Sequence, residues 1–341
     1  MRKKLALFMV LIMAMFAFAA CGGTPEPAEE PEAAMVKTGM AVITTADKSA
    51  NAGEKDGLAQ AYSNIIAVTV DETGVITNCV IDAAQTNINF SKEGKIVTPL
   101  DSEFVGKLEL AGDYGMAKAS SIGKEWNEQA TAFADYVIGK TVEEVKGIAV
   151  DAEGVPTAED LTSSVTIHVT PYIEAIEKAV ANAVDKGAAA DDKIGIGVLT
   201  TVAKSTDATA AEPGVAQAYS NYAVVTFNAD GVITSCIIDA SQTNINFDAT
   251  GTITTDLAGP FQTKNELGAA YGMVKASSIG KEWNEQAAAF SDYVVGKTVE
   301  EVKGIALNEE GVAADADLAA SVTVHIGPFM TVIEKAFNAA K

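Results

Sequence analysis

The residues best suited to chemistry lie in one short segment that occurs twice. Asp160-Leu-Thr-Ser-Ser-Val-Thr166-Ile167 is matched by Asp317-Leu-Ala-Ala-Ser-Val-Thr323-Val324. In each, small and hydroxyl-bearing residues lead into a β-branched run. Small residues let a bulky group come close to the backbone, and a Thr hydroxyl at the end of such an approach can be esterified. His168 and His325 follow two residues after each Thr, so strand alternation would place Thr and His on one face. A plainer reading has Asp160 capping a turn, Thr166 as an ordinary strand residue and His168 as a satisfied polar side chain.

Other chemistry finds little support. The chain has no GxSxG, Walker loop, HExxH or GxGxxG. Its 2 histidines argue against a His-rich metal site and leave only carboxylate-type metals open. Lone Asp and Glu are abundant, but in so acidic a chain most are solvated surface. The 3 cysteines are Cys21, Cys79 and Cys236. The last two are twins in strand-like runs, which predicts buried, inert thiols and allows no disulfide within a repeat. With no CxxC, neither c-type haem attachment nor a zinc knuckle is supported.

The elements that must position these residues are themselves duplicated. Residues 57–182 return at 214–339 with a constant offset of 157. Ser120–Ala130 (SSIGKEWNEQA) recurs unchanged as Ser277–Ala287, and GKTVEEVKGIA and QTNINF recur likewise. A period this long is the size of a domain, not of a solenoid unit. Within one unit, Gly39–Thr45 reads as a strand. Ile65–Val70 and Val75–Ile81 flank the turn Asp71-Glu72-Thr73-Gly74, a hairpin signal; Lys92-Glu93-Gly94 marks a weaker one. Ser120 or Ser121 can cap a helix to about Tyr136, with Trp126, Ala130, Phe133 and Val137 on one face and Gly139 ending it. Thr141 and Glu144 form a capping box for Val142–Gly147. Val165–Val169 reads as a strand, and Pro171 opens a helix over Tyr172–Val184. Strands first and helices after predict an α+β class: two tandem homologous domains, each an antiparallel sheet with helices packed on it. Their expected limits are 36–186 and 193–341, joined by a linker at 187–192.

The ends and the composition predict export. Arg2, Lys3 and Lys4 precede an apolar run too short for a comfortable membrane span, so residues 1–20 read as a signal peptide. Phe18-Ala19-Ala20-Cys21 looks like a lipobox, with Cys21 acylated. Residues 21–35 read as a disordered, acidic, Pro-rich tether. The formal charge of −22 argues against nucleic acid as a partner.

The repeated Asp160–Thr166 segment resembles the flavinylation motif of FMN-binding domains, commonly Asp-x-x-Ser/Thr-Gly-Ala-Thr. Such domains occur in the sodium-pumping quinone reductase and, in tandem, in flavin lipoproteins of Gram-positive extracellular electron transfer. Thr166 and Thr323 match the acceptor, Asp160 and Asp317 the leading acid, and Ser163 the Ser/Thr position, where copy two has Ala320. Ser164 and Ser321 stand for the usual Gly, and Val165 and Val322 for the usual Ala. The resemblance implies one FMN per domain, joined by phosphoester to Thr166 and Thr323. A dedicated flavin transferase would make the bond, since a β-branched alcohol is a poor nucleophile unaided. Trp126, Trp283, Tyr114 and Tyr271 could then stack on the ring, although core packing suits Trp126 as well; Met116 and Met273 are open to both roles. The implied protein is an electron carrier, not a turnover enzyme. It would be held at the outer face of the cell membrane by lipid at Cys21 and would take electrons from a membrane donor. The competing expectation is a cofactor-free surface lipoprotein that binds a ligand or serves as a structural module.

Overall fold

The computed structural model describes residues 34–341. The export signal, Cys21 and the tether up to residue 33 lie outside the described residues. Copy one runs β1 (Met35–Thr45), β2 (Gly57–Val70), β3 (Ile76–Phe90), β4 (Glu103–Val105), α1 (Lys107–Leu110), α2 (Trp126–Val137), α3 (Val142–Lys146), α4 (Glu159–Thr162) and α5 (Thr170–Ala181). Next come β5 (Val184–Ala189), β6 (Lys193–Thr201), β7 (Gly214–Phe227), β8 (Ile233–Phe247), α6 (Lys264–Leu267), α7 (Trp283–Val294), α8 (Val299–Lys303), α9 (Ala316–Ala319) and α10 (Gly327–Ala339). The class is α+β, with two antiparallel four-stranded sheets ordered β3-β2-β1-β5 and β4-β6-β7-β8. Among the described residues no helix is long and apolar enough to cross a membrane.

Strand β2 dictates how the layers stack. Ile65 and Ala67 point one way, Ile66 and Val68 the other, and all four are fully buried. A strand apolar on both faces needs a cover on each side. Helices α2 and α5 supply one cover, packing Trp126, Phe133, Val137, Ile176 and Ala179 over Ile66 and Val68. The other cover is the second sheet. Met40, Val42, Ile65, Ala67 and Val80 meet Ile194, Ile196, Val198, Tyr222 and Val224. A further shared cluster stacks Phe90 on its own twin, Phe247, with ring centroids 4.3 Å apart and planes 11° apart. The order is therefore helices, sheet, sheet, helices. On the helix side, Gly39 and Gly195 let α5 and α10 lie directly on the first strand of each sheet. A Cβ there would fall 2.1 Å from Ala179 O and 1.9 Å from Ala336 O.

The copies also exchange edges. Strand β4 of copy one pairs with β6 of copy two, while Phe261 of copy two bridges Thr44 of copy one. Ala52 N donates to Gly251 O and Ala208 N donates to Gly94 O, a reciprocal pair of bonds. The expectation of a linker at 187–192 is corrected here. Residues 184–189 are β5, paired with β1, and buried Asp192 accepts from Ala189 N and Thr234 Oγ1. One face of β2 is therefore buried against the other copy and not within its own.

Several local expectations hold. The Asp71 carboxylate accepts from Thr73 N and Val75 N and closes the first hairpin. The Thr141–Glu144 capping box is formed. Cys79 and Cys236 are buried and free, and burial pushes both thiols up to about 12. Others do not hold. Ser120 and Ser121 do not cap α2. Glu125 does, in a box with Glu128, because its carboxylate also gathers the chain that precedes it. Helix α5 ends at Ala181, before the expected Val184, which belongs to β5. Val165–Val169 is not a strand but irregular chain, with Val165 and Val169 each buried against the helices.

Candidate functional site

The site of copy one starts from a buried carboxylate. Asp82, on β3, accepts from Leu108 N at 2.9 Å and so fixes the first turn of α1. Burial pushes its carboxyl up to about 6, against the pull of the Leu108 and Ala83 N–H groups. That turn aims Lys107 inward, leaving it 3% exposed. Its Nζ donates to Tyr114 OH at 2.7 Å and to Tyr62 OH at 3.1 Å. It also lies 4.1, 4.6 and 5.4 Å from the ring centroids of Tyr114, Tyr62 and Trp126. Three aromatic faces thus stand where a carboxylate would usually be. Burial pulls the ammonium down to about 8, with Asp82 opposing. Burial, then the neighbouring Tyr172, drives the Tyr62 phenol well above its ordinary value.

Lys107 opens onto a cavity of about 530 Å³. Tyr62, Trp126 and Tyr172 line it with Met116, Asn64 and Thr166. Trp126 Nε1 donates to Tyr172 OH at 3.2 Å, and the two rings meet edge to face. Asn64 is 4% exposed, and among the described residues its Oδ1 has no hydrogen-bond partner. Among the described residues no Asp or Glu lines the cavity, although the chain carries 46 of them.

Thr166 is held by Gln129, which is fully buried. Gln129 Oε1 accepts from Thr166 N at 2.7 Å and from Thr166 Oγ1 at 3.1 Å. Its Nε2 donates to Ser120 Oγ and Lys124 O, both at 3.1 Å. One amide therefore clamps the Thr segment to the loop before α2. Glu125 holds the other side of that loop, accepting from Met116 N and Ala117 N.

Copy two rebuilds most of this. Asp239, pushed up by burial to about 7, accepts from Asn265 N. Lys264 donates to Tyr219 OH at 2.8 Å and lies 4.5, 4.5 and 4.8 Å from the centroids of Tyr219, Tyr271 and Trp283. Gln286 Oε1 accepts from Thr323 N and Oγ1 at 2.8 and 3.1 Å. Glu282 accepts from Met273 N and Val274 N. The copies differ where Phe329 replaces Tyr172, and Trp283 packs edge to face on Phe329 at 5.6 Å.

Of the residues singled out in the sequence, the fold brings Thr166, Trp126 and Met116 onto one cavity, with Tyr114 joined through Lys107. Trp126 serves as both core and wall. The acidic approach does not join them. Asp160 and Ser163 are exposed on and just after α4, and Asp317 is exposed on α9. Ser164 Oγ and Ser321 Oγ donate back to Leu161 O and Leu318 O. With no strand at Val165–Val169, alternation does not set Thr against His; His168 reaches the cavity rim through irregular chain. Sequence reasoning missed Lys107, Asn64, Tyr62, Gln129 and Glu125. Gln129 and Glu125 lie in the unchanged SSIGKEWNEQA run, which was a usable signal. Nothing local marks Lys107, whose aromatic box comes from β2, α2 and the turn at Ala111–Tyr114.

Among the described residues no group of three or more His, Cys, Asp or Glu side chains is placed to hold a metal. The site offers instead aromatic walls, a buried cation and a hydroxyl, which suit a planar heteroaromatic ligand. No family model, curated protein or solved structure matches the chain.

Proposed function

We propose that the chain is an exported, membrane-anchored flavoprotein that carries electrons outward from a membrane donor, with one FMN per copy. One observation carries the reading: the Thr166 side chain shares the lining of a cavity of about 530 Å³ with Tyr62, Trp126 and Lys107. That volume lies in the roughly 300–1,000 Å³ range of small-molecule sites. The residues fit the group. Thr166 would hold its phosphate, the aromatic walls would flank its ring, and Lys107 would meet its polar edge. FMN supplies one- and two-electron transfer when bound. The chain's share is to hold the ring out of water and to fix the Thr through Gln129. Esterification would remove the Oγ1 hydrogen that Gln129 accepts, and the bond from Thr166 N would keep the segment in place.

A second reading has the same cavity hold its ligand without a covalent bond, as in a ligand-binding lipoprotein. The exposed positions of Asp160 and Ser163 favour it, since neither approaches Thr166 across the cavity. Peptide mass mapping separates the two. Protein exported from a host that carries the flavin transferase should show FMN, less one water, on the Thr166 and Thr323 peptides. Thr166→Val should erase the first signal with little change in thermal stability. Bare peptides at both sites would sink the covalent carrier and leave the second reading.

A further inference from the structure

Surface lysines of this chain meet carboxylates, as Lys146 does Glu177, Lys303 does Glu334 and Lys335 does Glu109. Lys107 is kept from one. It has two phenol hydroxyls and three ring faces, and no ion-pair partner among the described residues. Asp82, the acid whose field reaches it, is spent on Leu108 N and Ala83 N. Two of the three rings, Tyr62 and Trp126, line the same cavity as Lys107 itself. Burial favours the neutral amine and pulls the group down to about 8. At about pH 7 roughly one such amine in ten is neutral, against roughly one in 2,500 for a lysine titrating near about 10.4. A neutral amine on the wall of an apolar cavity is a nucleophile.

We propose that Lys107 captures aromatic aldehydes covalently, as an imine between Nζ and the carbonyl carbon. The step needs no further reactant. The ammonium gives one proton to solvent. Neutral Nζ then bonds to the carbonyl carbon, and one of its protons passes to the oxygen. That oxygen takes up a second proton and leaves as water, while the C=N bond forms and nitrogen keeps one N–H. Tyr114 OH and Tyr62 OH stand 2.7 and 3.1 Å from Nζ to relay those protons. Burial holds both phenols in their protonated form. The product is still a cation, so it stays at home in the three-ring box. Its own ring lies along Trp126, Met116 and Tyr172. The inference is independent of the flavin reading, which needs the hydroxyl of Thr166 and no nucleophile at Lys107.

The test uses full-length protein made without the flavin transferase, and naphthaldehyde as the probe. Imines formed within minutes are fixed with sodium borohydride. It adds hydride to the C=N carbon and leaves a secondary amine that peptide mass mapping locates. Lys48 and Lys92, with side chains 74% and 68% exposed, serve as references. In native protein Lys107 should be labelled about tenfold or more faster than either, and denaturant should remove the preference. A Lys107 that served only as a structural tie, 3% exposed, would be slower than both. Excess naphthalenemethanol, the same ring without a carbonyl, should protect Lys107 and leave the references unchanged. Labelling of Lys107 no faster than the references, or equally fast with the alcohol present, overturns the inference. Either failure leaves the carrier reading standing, since that is decided on exported protein by the Thr166 and Thr323 peptides.

Discussion

Phe90 and Phe247 are the clearest place to ask whether the two copies stand or fall together. Both are fully buried, and they stack across the boundary between the sheets at 4.3 Å. Phe90→Ala removes a phenyl ring from a cluster built from both copies and strips Phe247 of its partner. Buried Phe→Ala changes cost about 3–5 kcal/mol, within which the lost aromatic pair accounts for roughly 1 kcal/mol. With a urea slope of about 3 kcal/mol/M, the unfolding midpoint should fall by roughly 1–1.7 M. The chain has 2 tryptophans, Trp126 and Trp283, one in each copy. Trp283→Phe leaves a reporter in copy one, and Trp126→Phe leaves one in copy two. Introduced into each background, Phe90→Ala should lower both midpoints by the same amount. If the Trp283 reporter keeps its midpoint while the Trp126 reporter loses more than 1 M, the copies unfold as separate bodies and the shared clusters do not couple them.

Two further outcomes follow from buried titratable groups. Cys79 and Cys236, whose thiols burial holds up at about 12, should react with a thiol reagent only on unfolding; labelling of the native protein within minutes would contradict their placement. Asp82 and Asp239 have folded pKa values raised by burial to about 6 and about 7, above an unfolded value near ~3.9. The stability linked to them is therefore complete below about pH 4 and is lost as pH rises through about 6 to 7. Asp82→Asn cannot ionise, so its stability relative to the parent should improve by up to ~3 kcal/mol between pH 4 and pH 8. A difference that stays constant over that range would refute the assignment.

The parts of the fold that depend on neighbours in sequence were legible. The face formed by Trp126, Ala130, Phe133 and Val137, the Thr141 box and the Asp71 turn each rest on residues within a few positions of one another. Where the reading failed, a distant partner decided. Val165 and Val169 have strand propensity, yet each is consumed singly by the core under α2 and α5, with Thr166 N drawn to Gln129 between them. Ser120 has the right chemistry for a cap, but its hydroxyl accepts from Gln129 Nε2 while Glu125 takes the helix end. Of the candidate site, the Thr and the aromatic residues were visible as types. Lys107 was not, because a lysine seven residues before a tyrosine and two before an acid looks like any solvated surface. The sharing of the core was visible in principle. Ile65-Ile66-Ala67-Val68 is apolar at every position, and such a strand cannot leave either face to water.

Because each sheet is the other's cover, the layered body forms late in the life of a nascent chain. When residue 186 emerges, the side of the first sheet that carries Met40, Val42, Ile65 and Val80 has nothing to lie on. Its counterpart ends with Phe247, and at roughly 5–20 residues per second the intervening stretch takes about 3–12 s to make. Through that interval the half-made chain is a sticky species in need of a chaperone or of an unfolded passage. A terminated or clipped first copy inherits the same liability permanently.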